Sequence, residues 1–561
     1  SSSNVSRVIC FCEHASSSTY VYNNTFVNVN YALYGAGPAP VVAVNNIVQG
    51  TTVDGYNGTF SAGSDYNISN VASDTTGGAN DKHTTAVTFQ DAPNKNYHLA
   101  PADTAARNAG TNLSANVNLA FSDDVDGATR VAGRAWDIGA DEAPTQIYYS
   151  VGTNTANLRN AANLTMTGGA ALFTAAQDEM IGVGDKVTYD TNKVAYIAGR
   201  TDSTHYALIT ATGGVPANEA SAVAVNSITR AFNSLNAART NADDSGYLTT
   251  ANLVTGNHIL NLACYADGED TGGSVDFGAW TTGANNYIKV YTPVASSEVG
   301  ASQRHNGTWG TGYRIRVPEG IRTFTHYIRF DGIASQATSS YAGFGVFESL
   351  DVEMSNCLGY QPSGTDNSPY WFSDQFTGID NRYPLTVKIW NSIAINRNTG
   401  SGNFAFRFSS YGDDMQIYMS NCTAYTDGVE AVFLGSNGND MNGIIKNTLS
   451  IAPNNNDFIL MGSGTLTLYN SASADATAGS YGGSGNQTNR TFTFIDEANN
   501  DFHLADSDIG AKNLGTNLSS DAVIPFSTDI DGAGRVDGSW DIGADEAPRQ
   551  IYYSVGTNTG N

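Results

Sequence analysis

The chain has 561 residues, 40% of them hydrophobic and only 14% charged, with 59 glycines, 29 tyrosines and 23 phenylalanines. It is too apolar and too aromatic to be disordered, and it reads as β structure with many turns. A net charge of −26 argues against nucleic acid and anionic lipid surfaces, which demand clustered Lys and Arg, and no run of 18 apolar residues exists to insert into a membrane.

The opening Ser1-Ser-Ser-Asn4 has neither an initiator Met nor a signal pattern, which suggests processing or a window from a longer protein. Cys10, Cys12, Cys264, Cys357 and Cys422 are odd in number and lack metal-ligand spacing. Small buried residues or a cross-coil disulfide both fit, but Cys10 and Cys12 share one face of a strand and cannot readily bridge each other.

A long repeat organises everything that follows. The stretch from Phe121 through Tyr149 returns almost unchanged from Phe526 through Tyr553, at a period of 405 residues that falls to 404 before Trp540. Residues 1–146 therefore read as the C-terminal half of a β-helix unit with its closing motif. Residues 147–550 read as a complete unit and 551–561 as the start of the next. An array gains length from each added unit, whereas an enzyme rarely needs a second copy of its C-terminal half.

Within the complete unit, residues 147–222 alternate short apolar runs with Gly, Asn and Asp turns, as in a small antiparallel β module. Ile228, Phe232 and Leu235 then recur at helical spacing in Val225–Arg239, with Asn226 or Ser227 as N-cap. That predicts a capping helix and linker over 223–246, covering the open end of a first coil.

Residues 247–505 predict a parallel β-helix, because apolar strands lead repeatedly into asparagine at Asn356, Asn391, Asn421, Asn447 and Asn470. Asn24, Asn46 and Asn67 repeat the pattern in the first unit, and the intervals of 21 to 35 residues match one coil. Asparagine tolerates a left-handed bend and its amide reaches the next coil, so these positions predict a ladder. Tyr22, Phe26, Tyr66, Trp390, Tyr418, Tyr425 and Tyr469 flank the bends and are read as core in preference to a sugar platform.

Each unit closes with Tyr97-His-Leu99 or Phe502-His-Leu504, followed by Asp124-Val-Asp-Gly127…Arg130…Trp136-Asp-Ile-Gly-Ala-Asp-Glu142 or Asp529-Ile-Asp-Gly532…Arg535…Trp540-Asp-Ile-Gly-Ala-Asp-Glu546. This segment, 506–550 in the complete unit, resembles the ending of right-handed parallel β-helix repeat-containing, or choice-of-anchor, extracellular surface proteins. It departs from that ending at Asp141 and Asp545, where an aromatic is common, and lacks the sorting anchor that often follows. The stretch 181–239 resembles modules of very large repetitive extracellular proteins predicted for uncultivated bacteria. The resemblance implies an extracellular or cell-surface location.

Arg130 is placed to clasp Asp126 and Asp137, and Arg535 to clasp Asp531 and Asp541. The same Asp-x-Asp-Gly turns offer a calcium reading at Asp124, Asp126, Asp529 and Asp531, with Asp267, Glu269, Asp270 and Asp276 as a second candidate loop. No other cofactor is expected.

Arg304, His305, Arg329, Asp331, Asp374, Asp380 and Arg382 are the residue types a polysaccharide lyase or hydrolase would use, but they form no recognisable catalytic spacing. The expected fold is all-β: right-handed parallel β-helix units separated by a small β module and a capping helix. The expected function is a structural extracellular repeat protein, not an enzyme, that builds a fibre or surface layer. Its partner is itself, head to tail, or the continuation of a longer repeat chain, through an assembly strand at Ile147, Tyr148 and Tyr149 repeated at Ile551, Tyr552 and Tyr553. The alternative is a glycan-binding or glycan-cleaving β-helix.

Overall fold

The computed structural model describes residues 8–11, 18–35, 41–100, 103–130, 135–339, 341–362, 367–375, 383–438, 440–535 and 538–548. The chain is nearly all β and divides into two units, residues 1–146 with 252–259, and residues 147–251 with 260–561. No helix of the described residues is long and apolar enough to cross a membrane.

In the first unit, short strands stack in parallel. Ile9–Phe11, Leu33–Gly35 and Tyr56–Gly58 form one sheet, Thr19–Tyr22 and Val41–Val44 a second, and Thr25–Val27, Ile47–Gln49 and Ile68–Ser69 a third. Val21, Phe26, Leu33, Ala43, Val48 and Tyr56 fill the space between them.

The second unit repeats this arrangement at greater length, in parallel sheets of nine, eight and seven strands. Successive strands fall in turn on the three sheets, so each pairs with the strand three places further along the chain. Register turns the alternation of side chains into columns. Ile288, Ile328, Val352, Val387, Ile417, Gly443 and Leu466 stand in line, all buried, and Val290, Phe330, Met354, Ile389, Met419, Ile445 and Leu468 form a second such column. Aromatic rings stack along the seven-stranded sheet, with Phe344, Tyr370 and Phe406 at successive centroid distances of 5.0 and 4.6 Å. A one-residue slip would turn every one of these side chains outward, so burial fixes the register.

Between residues 163 and 229 the chain forms a closed antiparallel barrel of six strands, from Asn163–Thr167 to Glu219–Thr229. Leu164, Met166, Phe173, Val187, Tyr189, Ile197, Leu208, Val225 and Ile228 make its core. Buried Arg230, just past the last barrel strand, meets Asp185 at 2.8 Å and Asp267 at 2.8 Å and lies 3.5 Å over the Tyr265 ring.

The helix predicted over Val225–Arg239 is much shorter. Val225 and Ile228 pair with Tyr189 and Val187 as strand residues, because closing the barrel needs that edge covered. The helix runs only over Leu235–Asn241, with Ser234 accepting from the Ala237 N–H as its N-cap. It packs beside Val275–Phe277, the first strand of the seven-stranded sheet, and the Leu235 N–H donates to Asp270 at 2.7 Å.

The strand Thr145–Val151 belongs to the nine-stranded sheet and not to the barrel, with Ile147 and Tyr149 buried and Tyr148 half-buried. Its repeats Ile551, Tyr552 and Tyr553 lie outside the described residues. Of the flanking aromatics, Tyr22, Phe26 and Tyr425 are core, whereas Tyr66, Trp390 and Tyr418 are half-buried and Tyr469 is exposed. Cys264, Cys357 and Cys422 are free and buried. Cys12 and the Cys10 side chain lie outside the described residues.

Near the last rungs, Asp457 is fully buried and shares backbone bonds with Asp475, each carboxylate accepting the other's N–H at 3.0 and 3.2 Å. Burial, reinforced by the Asp475 charge, pushes Asp457 up to about 7. The folded chain therefore favours the neutral acid, and stability from this group is complete below about pH 4 and lost as pH rises through about 7. Asp457→Asn, permanently neutral, is expected to flatten the fall in unfolding free energy, measured with urea, between about pH 4 and 7, a fall on the order of a few kcal/mol. An unchanged pH profile would contradict it.

Candidate functional site

The chemistry-bearing residues gather on the closing segment of each unit, and that segment is docked by asparagines. In the second unit Asn356, Asn391, Asn421, Asn447 and Asn470 follow strands of the nine-stranded sheet in matching register, with φ between 46° and 53°. Asparagine occupies this left-handed region at less cost than most residues.

Their side chains do more than ladder. Asn447 donates to Asn421 at 3.0 Å and to the Thr516 carbonyl at 2.7 Å, and accepts from the Thr516 N–H at 2.9 Å. Asn421 donates to the carbonyls of Asp541 and Gly543, both at 3.0 Å, and Asn391 to that of Thr528 at 2.6 Å. Gly543 (φ 112°) also donates to the Asn447 carbonyl at 2.8 Å, and a Cβ there would press to 3.0 Å from Thr423.

In the first unit the left-handed residues at the corresponding corners are Asn23, Asn45 and Tyr66, one position before the predicted Asn24, Asn46 and Asn67. Asn23 and Asn45 dock the closing segment through Asp137, Gly139 and Thr111, as Asn421 and Asn447 do through Asp541, Gly543 and Thr516. Asn24, Asn46 and Asn67 form a separate amide ladder one residue on, with Asn24 donating to Asn46 at 3.1 Å and Asn46 to Asn67 at 3.0 Å.

The arginine clasp exists with a different acid. Arg130 pairs with Glu142 at 3.0 Å and donates to the carbonyls of Asp123, Asp137, Gly139 and Ala140. Arg535 pairs with Glu546 at 3.1 Å, and donates to carbonyls including Gly543 and Ala544 and to Asn391. The Asp137 and Asp541 carboxylates instead accept backbone N–H groups, from Asn108 and Ala143 or from Asn513 and Ala547. Asp126 and Asp531 turn to histidine. Spacing alone favoured the nearer aspartates; the Glu that ends both copies was the missed signal.

In the Asp-x-Asp-Gly turns the first carboxylate is engaged by backbone donors. Asp124 accepts the N–H groups of Asp126, Ala128 and Glu142, and Asp529 those of Asp531, Ala533 and Glu546, so these two carboxylates hold the turn. The acidic loop is likewise engaged: Asp267 faces Arg230, Asp270 accepts from Tyr313, Asp276 pairs with Arg322 and Glu269 with Arg314.

What the fold does assemble is a histidine with two aspartates, twice. His98, Asp126 and Asp141 form one group and His503, Asp531 and Asp545 the other, each offering a ring nitrogen and two carboxylate oxygens within 4.8 Å of one another. The His98 Nε2 to Asp126 distance is 2.7 Å and the His503 Nε2 to Asp531 distance 3.2 Å. Asp141 and Asp545 are buried and each accepts a backbone N–H, from Leu99 at 2.7 Å and Leu504 at 2.8 Å. Burial pushes Asp141 up to about 6 and Asp545 up to about 7. Burial alone would lower His503, but its bond to Asp531 and the charge of Asp545 outweigh that and lift it to about 10. Such a group can hold an imidazolium between carboxylates or a divalent cation.

Of the residues considered for catalysis, Arg304, Arg329, Asp331 and Asp374 have partners within the fold. Arg304 pairs with Asp331 at 2.6 Å, and Asp331 also accepts from Asn356; Arg329 pairs with Asp351 and Glu353. Asp374 accepts three successive N–H groups from Tyr411 to Asp413, and burial, with Arg304 beside it, pulls His305 down to about 4. Asp380 and Arg382 lie outside the described residues. No family model and no curated protein matches this chain.

Substitutions at two positions test the docking network. Arg535→Lys leaves Glu546 and several carbonyls without the planar fork and is expected to cost about 3 kcal/mol or more. Asn447→Ala should cost roughly 2–4 kcal/mol and Asn447→Gly about 1 kcal/mol less, since glycine relieves the positive φ but not the lost amide bonds. Urea denaturation measures both; equal losses for Ala and Gly would remove the backbone part of the explanation.

Proposed function

We propose that the chain is a structural, extracellular repeat protein. Its units are right-handed parallel β-helices, separated by the six-stranded barrel and capped by the short Leu235–Asn241 helix, and they extend end to end into a fibre or surface layer. The observation that carries this reading is the junction. The closing segment runs directly into Thr145–Val151, which joins a sheet of the following solenoid, and the same sequence follows the second closing segment from Ile551. A chain built this way adds length with each unit, in one long polypeptide or in copies arranged head to tail.

Electron microscopy of the purified chain, with and without residues 551–561, tests this. Filaments with a regular axial repeat that vanish on the deletion support head-to-tail copies. Filaments that persist support assembly through other surfaces. Compact single particles under all conditions, together with no larger repeat polypeptide in the source material, contradict the reading.

A second reading, binding of neutral glycans, draws on one surface. Trp371, Arg407 and Phe433 stand in register on the half-buried outer face of the seven-stranded sheet, with Arg407 4.2 Å over the Trp371 ring. Aromatic rings with a polar neighbour on an outer sheet face suit sugar faces. A polysaccharide screen scored for retention and for loss of viscosity separates binding from cleavage.

A further inference from the structure

We propose that the two histidine–aspartate groups are divalent transition-metal sites, formed by His98, Asp126 and Asp141 in the first unit and by His503, Asp531 and Asp545 in the second. Each would be three-coordinate from the protein, with the remaining positions open to water on the side of the more exposed carboxylate. The proposal is independent of the fibre reading, because it rests on the closing segment alone.

Three observations converge. The first is donor geometry. Three ligands about 2.1 Å from one ion stand about 3.0–3.4 Å apart; the His503 to Asp531 pair stands within that range at 3.2 Å, whereas the His98 to Asp126 pair is at hydrogen-bond spacing, 2.7 Å, and would have to open slightly to admit an ion. The three donor atoms of each group lie within 4.8 Å of one another, and Asp126 and Asp531 are the exposed members, free of the backbone bond that anchors Asp141 and Asp545.

The second is the outer support. His98 Nδ1 lies 2.5 Å from the Asn96 side-chain oxygen and His503 Nδ1 2.5 Å from Asp501. An acceptor on Nδ1 fixes that nitrogen as the donor and aims Nε2 at the aspartates, the arrangement that orients metal-bound histidines. The buried aspartate is anchored at the same time by the Leu99 or Leu504 N–H.

The third is recurrence under sequence change. Asn96 is replaced by Asp501, Tyr97 by Phe502 and Val125 by Ile530, yet the three donors and their supports recur in place. Imidazole with two carboxylates suits zinc, manganese or cobalt, whereas calcium takes six to eight oxygens and the Asp124 and Asp529 carboxylates are committed to their turns.

Calorimetry of the full chain after chelator treatment, titrated with Zn²⁺ and separately with Co²⁺ while visible absorption is recorded, tests the proposal. Two ions per chain are expected, falling to one in either His98→Asn or His503→Asn and to none in the double variant, with at least tenfold weaker binding in Asp126→Asn/Asp531→Asn. Those aspartates are the more exposed members, so this last variant keeps the test usable if loss of histidine unfolds the segment. No saturable uptake of either ion, or uptake unchanged in the Asp126→Asn/Asp531→Asn variant, would overturn the assignment.

Discussion

The interaction on which the structure depends is the hydrogen bond between a left-handed asparagine at the corner of a rung and the backbone of the closing segment. Parallel pairing stacks the rungs, but stacking alone leaves a side of the column bare. Asn421 and Asn447, with their counterparts Asn23 and Asn45, present amides there, and the closing segment satisfies them with the carbonyls of Asp541, Gly543 and Thr516 or of Asp137, Gly139 and Thr111. A buried amide left without a partner costs about 1–3 kcal/mol, so rungs and closing segment are energetically one body within each unit.

The buried Arg535 extends that network. Its guanidinium is shared by Asn391, by Glu546 and by carbonyls of the closing segment, so one cation joins a rung corner to the loop that covers it. A planar fork with five donors can serve so many acceptors, and a lysine cannot. The histidine–aspartate group lies on the same segment, where Asp531 leaves the turn held by Asp529 and meets His503. A metal bound there would tighten a segment that the asparagines already hold.

Much of the architecture was legible in the sequence because the solenoid writes itself periodically. Apolar strands ending in Asn356, Asn391, Asn421, Asn447 and Asn470 mark successive corners, since a left-handed bend after a buried strand narrows the residue choice. In the first unit the paired asparagines at 23–24 and 45–46 leave the corner ambiguous by one residue, and Tyr66 takes a conformation that no composition rule assigns to tyrosine. The barrel was harder: Val225 and Ile228 fit a helical spacing as well as a strand that must close a sheet, and only the tertiary edge decides. At the closing segment, the motif signalled a clasp but not its partner. Long-range docking, and not nearness in sequence, brings Arg130 to Glu142 and Asp126 to His98. Asp141 and Asp545 complete the histidine groups.

Native-state hydrogen exchange tests the central claim most directly, by comparing the backbone amides of the rungs over 415–447 with those of the closing segment over 511–547. The account predicts that Asn421, Asn447, Thr516 and Gly543 exchange with similar opening free energies, as one cooperative unit. Rapid exchange of Thr516 and Gly543 beside well-protected rungs would mean that the segment merely rests on the column, and would contradict it.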